Sequence, residues 1–370
     1  MERYINIVDY HQRKNNKQVF FAKNIVKIPI CNRPWEDLVI NQYGIGYICA
    51  SPAWLPKGIG SVLDYDNIFD MLNSHEARAI RSEVSLNRYS YCNHKICGHS
   101  LMLKNHINLT PLAQNTILLT EDQFTATSIV NYLPSRLCFD FDYTCNFKCP
   151  SCRINVINHN HGPIYDTNKL VVTQIKKLLL DEYARTNSVV QIRWAGGDPL
   201  ISKAYLDLWK YIAKLGNTTI RNTIQTNGSY LIKRSKILKD FLPYIDEVRI
   251  SFDAGTAETY KKIRVNGKWS DLIKNCKYLK ELINQLDVKV ILHSDFIVQL
   301  DNYLEIPQYI ETAKSLGFNQ IGIGKMWNWN TWSMEEFDHL NISDPTHPKH
   351  TDLLVILEKY KSDPIVDISV

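Results

Sequence analysis

Three cysteines, Cys145, Cys149 and Cys152, stand at C-x3-C-x2-C spacing in the stretch Cys145-Asn-Phe-Lys-Cys149-Pro-Ser-Cys152. Thiolates are soft ligands, and several in so short a stretch select zinc or an iron–sulfur cluster. A structural zinc site ordinarily closes with a fourth protein ligand, whereas the local set stops at three. A cubane cluster held by three cysteines leaves one iron open to an exogenous ligand, which suits a site for chemistry better than a structural staple. On spacing alone a zinc knuckle stays open as the alternative. A second set, Cys31, Cys49, Cys92 and Cys97, lies in a small β-rich segment upstream. Four thiols there read as a closed tetrathiolate site, for zinc or for a fully ligated 4Fe–4S cluster. His94 and His99 are near enough to compete as ligands. Of the nine cysteines, only Cys138 and Cys276 stand outside these sets; both read as buried structural thiols, and either is placed to donate a hydrogen atom.

The elements that must position these thiols are legible from periodicity. Residues 137–142 alternate apolar and polar, so the chain leaves a half-buried strand and at once presents the triad on a loop. From residue 136 onward, strands at 136–142, 188–195, 219–225, 247–253, 288–298 and 320–324 alternate with helices at 168–185, 203–215, 232–241, 257–264, 270–286 and 303–316. Six strands alternating with helices argue for a parallel sheet, and in such sheets ligands gather at the carboxyl ends of the strands. The turn Trp194-Ala195-Gly196-Gly197-Asp198-Pro199 falls at one such end, where two glycines let the backbone approach a ligand closely. Upstream, strands are expected at 19–21, 25–30, 37–40 and 46–49, with a hairpin turn at 41–44 and a short helix near 67–72. Asn73 or Ser74 is positioned to cap a helix over 75–81. Downstream, Met326, Trp327, Trp329 and Trp332 crowd one short stretch, either to wall the mouth of the sheet or to cover its edge. A final helix is expected at 353–361, followed by an extended end packed on the N-terminal segment.

Length and composition bound the class. At 370 residues, with 45% hydrophobic and 22% charged side chains, the chain reads as globular and long enough for two domains. The formal net charge of +5 is mild, and residues 14–17 read as a solvated loop; no basic block points to a nucleic-acid partner. No apolar run reaches the length of a membrane span, and residues 1–6 lack the apolar core of a signal peptide. A cytoplasmic location is the expectation, and in that compartment cysteines serve metals more often than disulfides.

The triad resembles the signature of the radical S-adenosylmethionine (SAM) enzymes. The resemblance implies that Cys145, Cys149 and Cys152 hold a [4Fe–4S] cluster whose open iron is chelated by SAM. It implies reductive cleavage of SAM to a 5′-deoxyadenosyl radical that abstracts a hydrogen atom from substrate. Phe147 and Ser151 join the implied cofactor contacts within the loop, although the family often has an aromatic residue where this chain has Ser151. Gly196, Gly197 and Asp198 resemble the motif whose backbone binds the SAM amino group, with Asp198 where Glu is more usual. Asn227 follows the third strand in a family-like Gln-Thr-Asn-Gly turn. Ser251, Asp253 and Arg264 resemble a phrase in which the Ser and Asp reach the ribose region and the Arg faces the SAM carboxylate, here with Ala254 in place of the usual Gly. Gln299 falls where family members contact the adenine.

The same resemblance implies a partial (β/α)6 TIM-like barrel, expected over residues 126–330. Cys31, Gly44 and Cys49, with Pro34-Trp35, residues 57–60 and residues 73–78, resemble the SPASM or twitch auxiliary-cluster module. That module is expected over residues 1–125 as a small α+β unit with one second [4Fe–4S] cluster, ahead of the barrel instead of behind it. Residues 331–370 complete the expected layout as a C-terminal extension. The implied function is modification of a peptide or natural-product precursor by cross-linking, oxidation or epimerisation, with electrons from a donor such as flavodoxin or ferredoxin. Radical chemistry on a sugar or other small molecule is the rival reading, and a non-catalytic zinc or iron–sulfur binding protein is another.

Overall fold

The computed structural model describes residues 31–86, 88–97 and 128–370. The strands expected at 19–21 and 25–30, the loop at 14–17 and His99 lie outside the described residues. The chain divides into two compact units, residues 1–39 with 45–134 and residues 40–44 with 135–370.

In the first unit, a short helix α1 (Arg33–Glu36) opens with Pro34 in its first turn, where a missing N–H costs nothing. Strands β1 (Asp37–Asn41) and β2 (Gly46–Tyr47) flank the turn Gln42–Gly44, and residues 40–44 group with the second unit. Helix α2 (Ile68–Leu72) is capped by Asn67, and α3 (His75–Ser85) by Ser74, whose Oγ accepts from the Ala77 N–H at 3.3 Å. Helix α3 buries Ala77, Ile80, Arg81 and Val84 at helical spacing. Arg81 is the unusual member. Buried without an acidic partner among the described residues, its guanidinium donates to the carbonyls of Pro34 (2.8 Å), Leu72 (2.6 Å) and Ser128 (3.1 Å). Those bonds tie three segments to one helix, and burial pulls the arginine's pKa down to about 10.

The second unit contains the six expected strands: β3 (Arg136–Asp140), β4 (Val190–Trp194), β5 (Ile220–Thr226), β6 (Ile245–Ser251), β7 (Ile291–Val298) and β8 (Gln320–Lys325). A seventh, β9 (Val366–Ser369), comes from the tail and pairs with β8. Strands β3 to β9 lie side by side in chain order, each parallel to the next, and the sheet stays open instead of closing into a barrel. The connecting helices are α4 (Pro163–Ile175), continued by a π segment (Lys176–Leu180) and α5 (Asp181–Thr186), then α6 (Lys203–Leu215) and α7 (Ser235–Phe241). Helices α8 (Ala257–Ile263), α9 (Trp269–Leu286) and α10 (Ile306–Ser315) follow, with α11 (Met334–Leu340) and α12 (His350–Glu358) before β9.

Parallel strands in chain order, joined by crossovers of one hand, put their helices on one face. Register bears this out. Phe139, Trp194, Ile224, Val248 and Leu292 sit in one row across five strands, all buried. On that face Trp194 meets Tyr205 and Trp209 of α6 at 5.3 and 5.8 Å, and Phe296 meets Tyr309 of α10 at 4.7 Å. The opposite face is polar. Its rows read Cys138, Arg193, Thr223, Glu247, then Gln225, Arg249, His293, then Ser251, Asp295, Gly322, Asp367. A closed barrel of this class is filled with aliphatic side chains, and this charged face is unlike such an interior.

Candidate functional site

The thiol loop begins where β3 leaves the sheet. The N–H groups of Phe141 and Asp142 lose their strand partners there, and both donate to Tyr205 Oη at 3.0 Å. That hydroxyl has Phe139 O and Ala195 O as acceptors, each at 3.1 Å, so one buried tyrosine knots the ends of β3 and β4. The Asp142 carboxylate accepts from the Thr144 N–H (2.9 Å), Thr144 Oγ1 (2.7 Å) and Ser202 Oγ (2.5 Å). Ser202 Oγ in turn accepts from the Tyr205 N–H at 3.1 Å as the cap of α6. Cys145 then pairs with Ile157 through N–H···O contacts of 2.8 and 3.3 Å, closing the loop on itself. The Cys149 carbonyl accepts from the N–H groups of Cys152 (2.9 Å) and Arg153 (3.0 Å), a tight turn that brings the last two thiols to one side. Cys145 and Cys149 are buried and Cys152 is exposed; none of the nine cysteines is in a disulfide.

Two arginines flank the triad. Arg153 donates to Tyr143 O (2.8 Å) and Gly196 O (3.0 Å), and its Nη2 lies 3.4 Å from Cys152 Sγ. Arg264 Nη1 lies 3.5 Å from Cys149 Sγ. Burial pushes the Cys145 thiol up to about 11, helped by the Asp198 charge and opposed by Arg153. The Cys149 thiol is also pushed up by burial, with Arg264 pulling the other way. Iron binds thiolates, not thiols, and the two guanidiniums stand where thiolate charge would gather. Among the described residues no three ligating side chains already close on a single bare ion. Neighbouring thiols nonetheless feel one another's charge, and Arg264 keeps a buried Nε with no hydrogen-bond acceptor. Arg264 Nε stands 3.2 Å from Asp253 Oδ2, in ion-pair range but poorly aimed. A thiol triad with an under-satisfied cation beside it fits a cluster and a carboxylate-bearing ligand.

The glycine turn after β4 clamps this loop. Gly197 N–H donates to Asp142 O (2.9 Å) and Asp198 N–H to Thr144 O (2.7 Å). A Cβ at Gly197 would lie 2.1 Å from Thr144 O. Gly196 adopts φ +89°, a conformation that favours glycine. The buried Asp198 side chain reaches across to β5, accepting from Thr226 Oγ1 and the Asn227 N–H, both at 2.8 Å, and from the Leu200 N–H at 3.0 Å. Asn227 Nδ2 donates to Asn146 Oδ1 at 2.9 Å and lies 3.8 Å from Cys145 Sγ. Asp253, at φ +56°, accepts from the Ile297 N–H (2.8 Å), and its carbonyl accepts from Asn302 Nδ2 (3.0 Å). Phe147 is buried against the turn after α8, close to where a Gly267 Cβ would stand. Ser151 and Ser251 are half-buried, Ser251 on the open face, and the Gln299 carbonyl receives the Asn302 and Tyr303 N–H groups. Sequence reasoning missed Tyr205, Ser202, Arg153 and Asn146. Of these only Arg153 carried a signal, its place directly after the third cysteine.

In the first unit, Cys31, Cys49, Cys92 and Cys97 line one hollow together with Arg33, Trp54, Leu55 and Tyr89. The Cys31 N–H donates to Tyr89 Oη at 3.3 Å. Burial pushes Cys31 up to about 11 and Cys92 up to about 12, and Cys49 is raised as well. His94 does not line the hollow, and its Nδ1 is buried without a partner.

Residues 141–303 match the family model described as the Radical SAM superfamily. The chain is 25% identical over 193 residues to a probable GTP 3′,8-cyclase of Saccharolobus islandicus, covering 50% of this chain and 57% of that protein. A protein of the same name from Methanococcus aeolicus is 32% identical over 121 residues, covering 32% of this chain and 37% of the relative. The chain thus spans 57% of the first of these relatives and 37% of the second. Among solved structures, Streptococcus suis SuiB bound to precursor peptide SuiA is 16% identical, with TM-score 0.43 over 80% of this chain and 62% of that one. The structure of anSMEcpe with bound AdoMet is 17% identical, with TM-score 0.36 over 52% and 50%. Among the described residues no helix is long and apolar enough to cross a membrane.

Proposed function

We propose, from the match of residues 141–303 to the Radical SAM superfamily, that the chain is a radical SAM enzyme performing hydrogen-atom abstraction on a polar substrate held on the open face of the sheet. The observation that carries this reading is the triad: three thiols on one loop at the carboxyl end of β3, flanked by Arg153 and Arg264. Cys145, Cys149 and Cys152 hold the cluster. When bound, cluster and SAM supply one-electron cleavage of SAM to a 5′-deoxyadenosyl radical. The rest is the work of the chain. Arg264 offers its under-satisfied guanidinium to the SAM carboxylate, and Asp253 fixes that arginine. Gly196 and Gly197 keep the backbone close to the loop, with Asp198 bracing β4 to β5. Phe147, Ser151, Asn227, Ser251 and Gln299 complete the cofactor contacts.

A second [4Fe–4S] cluster, on Cys31, Cys49, Cys92 and Cys97, is supported by the four thiols sharing one hollow. It makes the first unit an auxiliary module of the SPASM or twitch kind that transfers electrons to or from the substrate radical; a flavodoxin or ferredoxin is the enzyme's electron donor. The substrate is a peptide or natural-product precursor, modified by cross-linking, oxidation or epimerisation. A small-molecule substrate is favoured by a different observation, the GTP 3′,8-cyclase name of the curated relatives.

The test is anaerobic reconstitution with iron and sulfide counts and a SAM-cleavage assay, run beside a Cys145/Cys149/Cys152→Ala variant. About eight irons falling to about four, with 5′-deoxyadenosine formation abolished, is the expected result. Zinc in place of iron, or iron without SAM cleavage under strong reductant, refutes the enzymatic reading and leaves a metal-stapled binding protein.

A further inference from the structure

The open face carries arginines of two kinds. Arg249 is fully engaged: Nε and Nη2 reach the Asp295 carboxylate at 3.1 and 2.6 Å, and Nη1 reaches Glu247 at 3.3 Å. His293, between Glu247 and Asp295, completes that paired cluster on β6 and β7. Arg221 is likewise paired, with Asp246 and the carbonyls of Pro243 and Ile245. Arg193 differs. It sits on β4 between Cys138 of β3 and Thr223 of β5, and it is exposed although its strand lies within the sheet. Its one polar contact among the described residues is from Nη2 to Gln225 Oε1, at a long 3.4 Å. Asp140, on the same face, feels its charge but makes no ion pair with it.

A guanidinium presents five donors in a planar fork, matched to carboxylate and phosphate oxygens. Arg193 therefore stands on the sheet with most of its donors unmet. Turning its amide oxygen to Arg193 leaves Gln225 with N–H donors that meet no acceptor among the described residues. Two residues along the chain from Gln225 is Asn227, whose side chain lies 3.8 Å from Cys145 Sγ. Two strand residues span about 7 Å, so this donor group lies roughly one small-molecule length below the thiol loop. On the β6–β7 side of the face the charged groups are paired in contact; Arg193 is not.

We infer that Arg193, with the Gln225 amide, binds an oxyanion of the substrate, a carboxylate or a phosphate, and so aims the rest of that substrate at the thiol loop. The inference deepens the proposed function and rests on its reading of the open face as the substrate's seat. Inorganic phosphate and, separately, glutarate are titrated calorimetrically into the anaerobic, iron–sulfur-loaded full chain at matched ionic strength. At least one anion binds, and Arg193→Gln weakens it by about tenfold or more, the loss of a charge-assisted bidentate contact. Arg193→Lys loses less, and Gln225→Met weakens binding several-fold. Preference for phosphate identifies a phosphorylated substrate, and preference for glutarate a carboxylate-bearing one. Iron content measured on each variant reports whether the fold survives; should Arg193→Gln lose iron, the Lys and Met variants decide. Binding unchanged in the folded variants, or no binding of either anion to the unmodified chain, overturns the inference. SAM cleavage reports separately: anion binding at Arg193 without SAM cleavage condemns the radical reading and leaves the anion site, and the converse result does the reverse.

Discussion

Gly197 has no room for a methyl group. Its Cβ would meet Thr144 O at 2.1 Å and Tyr143 C at 2.6 Å, both backbone atoms of the segment leading into Cys145. Backbone cannot swing aside as a side chain can, so Gly197→Ala displaces the thiol loop and costs about 2–4 kcal/mol. The expected outcome is loss of about four of about eight irons; full iron retention would show that the loop tolerates the shift. Asp140 gives a second prediction at this scale. Burial raises its carboxyl to about 6, with Arg193 opposing only in part. A raised acid holds its proton longer in the folded chain, so it lowers stability as pH climbs from about 4 through about 6. Asp140→Asn should match the parent below pH 4 and exceed it by about 1–3 kcal/mol above pH 6. Parallel denaturation curves at pH 4 and pH 7 check the sign, and an equal difference at both would sink it. At this scale the cysteines were legible because thiols at fixed spacing are rare. Tyr205 was not: a tyrosine on an amphipathic helix gives no hint that two orphaned N–H groups will find its hydroxyl.

Helix α6 is held to the thiol loop by its first residues. Ser202 caps the helix and also donates to Asp142, so one hydroxyl serves two elements. Ser202→Ala removes the cap and leaves a buried carboxylate oxygen short of a donor, at a cost of about 2–3 kcal/mol. Tyr205→Phe strands two buried N–H groups and should cost at least as much. In both variants the midpoint of chemical denaturation falls, and iron in the triad is lost more readily than iron in the first unit. A Ser202→Thr variant, which keeps the hydroxyl, should recover most of the loss. Element boundaries in the second unit followed from periodicity, and the helix expected at 203–215 is Lys203–Leu215. The helix expected at 168–185 instead begins at Pro163 and contains the π segment Lys176–Leu180. Leu178, Leu179 and Leu180 are all buried. Three successive residues cannot share one face at a period of 3.6, and the widened turn accommodates them, a solution that a fixed-period reading cannot anticipate.

Across the whole molecule, parallel α/β character was readable because six strand–helix alternations leave few other topologies. The open edge was not. Residues 366–369 are short and only partly covered, so nothing in their pattern separates a seventh strand from an extended tail. The two units also hold their proposed cluster thiols by different means. In the second unit the triad hangs on a large sheet. In the first, four thiols sit in a small unit whose helices lean on one buried arginine. Removing iron with a chelator should therefore expose residues 31–97 to protease while residues 135–370 stay resistant, because small metal-stapled folds depend on their metal. Simultaneous cleavage of both units would argue against that division.

The chain-order sheet bears on how this protein comes into being. From β3 to β9 each strand pairs with the next one synthesised, so that part of the sheet can lengthen strand by strand as it leaves the ribosome. The triad and the groups that clamp its loop, Asp142, Gly197, Asp198, Ser202 and Tyr205, all fall within the first strand–helix–strand unit and the start of α6. A nascent chain of that length already contains all of these groups, whereas Arg264 and Asp253 arrive only with the fourth strand and the helix after it. Assembly machinery delivering iron and sulfide would thus meet an open cradle first, and the cation that seals it would come late.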